Sequence, residues 1–329
     1  PRRDLAARGL IYPDAGRHTG HHGLLTDWIA LPPAYRGPGG GRSGLCALAE
    51  RWRDSDATLL LSSEEFSRAG GRGGHVDFAE LRAIFEGFDI RVICTLRAPW
   101  QFLQSVYLEI AQTRPPPPPA ALIRSALETG LVDGLWCDYL SLYDNLCQNF
   151  RPGEIRLIDY GAASRTEQGL LREVLRLVAP RLVLPPGMGP GTPARADPVA
   201  TCEDNTPPDP APRRDNPSPP PLPIWAAHVV AGGPSPGPDI LAAASEAYDL
   251  EYGAARRGCL FTREEIATLA AHVAPRNDRL ANRVRGVQPG WSLSQADPPP
   301  GTLYREDIGP EYWIRLARRL SLRKARAAA

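Results

Sequence analysis

The chain has 329 residues, a formal net charge of +1, 43% hydrophobic residues and 23% charged residues. Such a length supports one sizeable α/β domain with a smaller second unit, and the near balance of charge excludes a global field for nucleic acid. The six cysteines form no CxxC pair and most sit inside apolar runs, which suits the reduced core thiols of a cytoplasmic protein better than a disulfide framework or a zinc site.

Residues 1–12 read as the end of a helix, capped by Gly9, and a short extended piece. Residues 22–31 and 43–53 have helical patterning. The apolar run "TLLLSSEEF" (58–66) reads as a strand with a polar end, and residues 70–74 as a glycine-rich loop. Apolar residues at 78, 81, 84, 85 and 88 predict a helix over 76–88. "VICTL" (92–96) predicts a buried strand, and Pro99 opens a helix directly after it. Five prolines at 115–119 end that helix in an extended polyproline segment. Residues 120–149 again look helical, and "EIRLIDYG" (154–161) predicts a strand followed by a helix. Strand, helix, strand, helix in order implies a parallel sheet with covered faces.

Proline, glycine and polar residues dominate 185–223, too few apolar groups to offset the entropy of ordering, so a flexible linker or insertion is expected there. Helical patterning resumes at 239–253. Thr262 and Glu265 form a capping box before Ile266, Leu269, Ala270 and Val273. Residues 286–303 read as loop and 310–326 as a last helix. Arg315, Arg318, Arg319, Arg323, Lys324 and Arg326 make this end basic and leave the body mildly acidic. Such a helix is a solvated face or a surface for an acidic glycan or a membrane. No window reaches eighteen apolar residues, so no membrane span is expected. The expected domains are therefore an α/β core over 1–184, a linker over 185–223 and a C-terminal helical segment over 224–329 with its basic tail.

Arg97 carries the sharpest chemical signal. In open parallel sheets, ligands sit beyond the carboxyl ends of strands, and Arg97 stands at such an end. A helix start at Pro99 offers free backbone N–H groups and a partial positive charge. The guanidinium adds a fork of donors that matches a phosphate, and Ser105, two turns on, supplies a hydroxyl. A plainer reading pairs Arg97 with a nearby carboxylate and leaves Ser105 without a role.

"LRAPWQFLQSVY" (96–107) resembles the 3′-phosphate-binding segment of bacterial-type sulfotransferases that use PAPS (3′-phosphoadenosine 5′-phosphosulfate), with Arg97, Ser105 and Tyr107 at the matching positions. "TLLLSSEEF" and "EIRLIDYG" look like the strands that precede and follow it. "LAARGLIYPDAGRHTGHHGL" resembles the segment after the first helix of those enzymes. "FTREEIATLAAHVAPRNDRLANRV" is similar to their C-terminal helix, with Asn277, Arg279 and Leu280 in its closing pattern. The resemblance covers 1–180 and, more loosely, 255–288. It implies a P-loop-like three-layer fold, Arg97 and Ser105 as the PAPS-binding residues, and no metal. It also implies sulfuryl transfer to the hydroxyl or amine of a small-molecule or carbohydrate acceptor.

A base for the acceptor proton is expected among His18, His21, His22 and Glu64, with His22 and Glu64 the leading pair. Glu65 is an alternative carboxylate. Solvated loop histidines and surface acids are the plainer reading of each. The first strand and the lysine- and Gly/Thr-rich 5′-phosphosulfate loop of that family find no counterpart here, and the only lysine is Lys324. Because the chain begins at Pro1 and its only methionine is Met188, an upstream natural segment is expected to hold that loop. The chain as given is then an inactive fragment, since losing one preorganised contact costs on the order of 10²- to 10³-fold. A nucleotide-binding relative without activity and a P-loop nucleotide kinase are the alternative readings.

Overall fold

In a computed structural model of the protein, residues 5–14, 20–37, 39–70, 74–165, 169–179, 220–294 and 297–328 are described. The chain divides into two compact units. One comprises Pro1–Leu96 and Asn145–Pro217, the other Arg97–Asp144 and Ser218–Ala329. Residues 97–144, expected inside a continuous core over 1–184, therefore group with the C-terminal helices.

The first unit is mixed α/β. Strands β1 (Leu10–Ile11) and β2 (Thr58–Leu59) pair in parallel, as do β3 (Val92–Leu96) and β6 (Ile155–Asp159). Val92 is in register with Ile155 and Leu96 with Asp159. Helices α1 (Gly41–Trp52) and α2 (Phe78–Ile84) bury Leu45, Ala49 and, just past α2, Phe85 in one cluster with Leu24. Asp77 caps α2 by accepting from the Glu80 N–H, as an N-cap carboxylate should. After β6, Asp159 accepts from the N–H groups of Gly161 and Ala162 and so starts α6 (Tyr160–Arg165); α7 (Gly169–Val178) follows.

The second unit is largely helical. Helices α3 (Pro99–Thr113), α4 (Pro119–Thr129) and α10 (Arg263–Val284) enclose an apolar core built on Leu103, Val106, Tyr107, Leu122, Ile266 and Leu269. Between α4 and α5 (Tyr139–Cys147), the antiparallel strands β4 (Leu131–Val132) and β5 (Leu135–Trp136) form a hairpin. Asp133 and Gly134, at φ 48° and 79°, make its two-residue turn. Positive φ at both positions gives the twist a tight hairpin needs, and Asp-Gly accepts it. Helices α8 (Pro221–Ala231), α9 (Pro238–Tyr252) and α11 (Pro310–Ala328) form a second cluster with Ala243, Ala244, Ala247, Tyr312 and Leu316 at its centre. A short parallel pair, β7 (Gly258–Cys259) with β8 (Leu303–Tyr304), completes this unit.

Several expectations change. The mixed α/β class stands, and the described strands form two-stranded sheets. The run 58–66 is strand only over its first two residues. Ser63 then caps a 3₁₀ turn, Glu64–Ser67, because its hydroxyl captures the Glu65 N–H. Residues 22–31 hold only the 3₁₀ turn His22–Leu25, and 120–149 is interrupted by the Asp-Gly hairpin. Most of the expected linker lies outside the described residues, and its last part does not fit the expectation. Helix α8 starts at Pro221, where a missing N–H costs nothing, and Leu222 is buried. Among the described residues no helix is long and apolar enough to cross a membrane.

Candidate functional site

Arg97 follows β3 directly and precedes α3, whose first residue is Pro99. The nonpolar Ala98 at the N-cap leaves the first N–H groups of α3 without a side-chain cap. One Nη of Arg97 donates to Ser105 Oγ at 2.9 Å, so the two residues singled out as binding groups are in contact. The eight-residue interval places Ser105 two turns into α3, on the side to which the guanidinium folds back.

Arg97 is also held through its backbone. The Tyr139 hydroxyl, at the start of α5, donates to the Arg97 carbonyl at 3.0 Å. Tyr139 is buried, packs edge-on against Phe102, and burial pushes its phenol far above the ordinary range. It therefore acts as a fixed donor rather than an ionising group. Its neighbour Asp138 caps α5 through the Leu140 and Ser141 N–H groups and receives Arg276 Nε at 3.0 Å. Tyr107, the third residue of the matching pattern, is 2% exposed and belongs to the core; burial raises its phenol while the charge of Arg305 opposes the rise. Burial likewise pushes the Cys137 thiol up to about 12 and that of Cys259 up to about 11, so both are packing groups.

The candidate bases lie in the other unit. His18 is outside the described residues. His21 is 1% exposed, and both ring nitrogens are engaged. Nδ1 accepts from the Ser62 N–H at 2.8 Å, which puts the ring proton on Nε2, 3.0 Å from the Pro13 carbonyl it donates to. His21 is thereby a structural bridge and is removed from the list of bases. His22 is half-buried. Its Nδ1 lies 3.0 Å from Ser63 Oγ, and its ring meets Tyr35 edge-on at 5.5 Å. Glu64 is exposed and follows Ser63 directly. Glu65 pairs with Arg68 at 2.5 Å, both side chains mostly buried, and is no longer a free base.

Tyr139, Asp138, Arg276 and Ser63 were not singled out from the sequence. Ser63 had a visible signal, the polar end of an apolar run, but its alignment with His22 depends on residues 41 positions apart. Among the described residues no group of three His, Cys, Asp or Glu side chains comes together to hold a metal ion. Comparison with family models, with curated proteins and with solved structures finds no match for this chain.

Proposed function

We propose that the protein is a PAPS-dependent sulfotransferase-like protein of P-loop-like fold, with Arg97 and Ser105 holding the 3′-phosphate of the nucleotide. The single observation that carries this reading is the 2.9 Å contact between Arg97 and Ser105 at an uncapped helix start that follows a strand of a parallel pair. A guanidinium and a hydroxyl at a helix start are donors of the kind a phosphate monoester takes. The likeness of residues 96–107 to the corresponding segment of sulfotransferases supports the same assignment.

In this reading a base takes the proton of the acceptor hydroxyl or amine as it attacks sulfur, and adenosine 3′,5′-bisphosphate (PAP) departs. The bond to the bridging oxygen breaks as the bond to the acceptor forms. Positioning and charge stabilisation dominate such transfers.

Titration calorimetry with PAP tests the site. Arg97→Ala should weaken binding by roughly ten-fold or more, since a charge-assisted hydrogen bond contributes roughly 1.5–3 kcal/mol. Equal affinity in the variant removes Arg97 from the site, and absence of binding to the unaltered protein removes the nucleotide itself.

A further inference from the structure

His21 and His22 run alongside Ser62 and Ser63 in matched order. The His21 backbone N–H donates to the Ser62 carbonyl at 2.7 Å, and its ring closes the pair again through Nδ1. These contacts, made by the buried His21, already join the two loops. The next pair, His22 with Ser63, is half-buried rather than sealed, and it brings an imidazole nitrogen to 3.0 Å from a serine hydroxyl. A hydroxyl within hydrogen-bond reach of an imidazole, with the ring oriented by a third group, is the arrangement of an activated nucleophile. Tyr35 supplies the orientation here. Gly20 presses close to the other side of the imidazole: a methyl at that position would come within 3.1 Å of Nε2. The Glu65 N–H donates to Ser63 Oγ at 3.2 Å, which leaves the hydroxyl proton to point at His22.

We propose that Ser63 is a nucleophile and His22 its base, an acyl-transfer site for carboxylic esters that uses neither Arg97 nor Ser105. Ser63 Oγ attacks the ester carbonyl carbon as its proton passes to His22 Nδ1. The bond to the alkoxy group then breaks, and the leaving alkoxide takes that proton from Nδ1. Water attacks the acyl-serine by the same path, giving the acid and restoring the hydroxyl. The plain alternative is that Ser63 only caps the turn Glu64–Ser67.

A fluorophosphonate, which reacts with activated serines, separates the two. The unaltered protein is labelled and the adduct is mapped by peptide mass spectrometry. The proposal expects the adduct on Ser63, and labelling slowed by at least roughly 100-fold in His22→Gln, the usual contribution of a general base. Mapping in the unaltered protein decides the matter even if a variant folds poorly. No adduct on Ser63, or the same rate in a folded His22→Gln protein, overturns the proposal and leaves Ser63 as a cap. Failure here leaves PAP binding untouched, because that measurement reads Arg97 and Ser105.

Discussion

Glu154 shows how one buried side chain concentrates the electrostatics of a unit. Arg82 forks onto its two oxygens at 3.0 and 3.2 Å, and Arg151 adds its backbone N–H at 2.7 Å and its guanidinium at 2.7 Å. The hydrogen bonds from Arg82, then those from Arg151, hold the Glu154 carboxyl at about 2 despite the cost of its burial. A depressed carboxyl stabilises the fold above the ordinary carboxylate range, and that stability is lost as pH falls through the folded value. The melting temperature of the protein should therefore drop between about pH 4.5 and pH 2. Glu154→Gln should lose roughly 1.5–3 kcal/mol at neutral pH and show a shallower decline in acid, read by thermal melts across pH. An equally steep decline in the variant would assign the acid loss to other groups. The same logic of partners separates the two histidines: both occur in "HTGHHG", yet one is consumed by Pro13 and Ser62 while the other keeps a hydroxyl.

Helices α9 and α11 show what the basic tail does. Arg315, Arg319 and Arg323 recur every four residues along α11, one face of a helix. They meet Glu251, Glu246 and Asp239 of α9, with Arg323 also reaching Glu246. Under this row, Ala243, Ala244 and Ala247 leave room for Tyr312 and Leu316 to approach the α9 backbone. Those arginines are thus partnered within the unit rather than held out for an acidic surface. Partly exposed pairs are worth little singly, so Arg319→Ala should cost about 0.5–1 kcal/mol, and the difference should shrink in 1 M salt. Thermal melts at two salt concentrations check it; a salt-independent loss would mean the arginine acts through its packed stem instead. Helix α10 is the contrasting case, an element whose start was readable. Thr262 accepts from the Glu265 N–H and Glu265 from the Thr262 N–H, the reciprocal cap that the four residues predict. Its buried stripe of Ile266, Leu269, Val273, Asn277, Leu280 and Val284 continues past Pro275.

The molecule as a whole is two compact units threaded by one chain, with boundaries after Leu96, Asp144 and Pro217. Two compact units predict calorimetric unfolding that departs from a single two-state transition. Leu222→Ala, which empties a site that is 1% exposed, should lower one transition by about 2–5 kcal/mol, and Glu154→Gln should lower the other. A single transition that both substitutions shift alike would show the units to be one cooperative body.

The features legible in the amino-acid order are those whose causes lie a few residues apart. Strand 92–96, the helix opening at Pro99, the Thr262–Glu265 cap and the helices over 239–253 and 310–326 follow from period, capping and proline geometry. The Asp-Gly turn at 133–134 obeys the same local chemistry and could have been read. The regrouping of 97–144 with the C-terminal helices, the sealing of His21, the meeting of His22 with Ser63 and the partners of the tail arginines follow from no local period. Each joins side chains from distant segments, and burial and hydrogen bonding choose among such pairings only once the chain has closed into three dimensions.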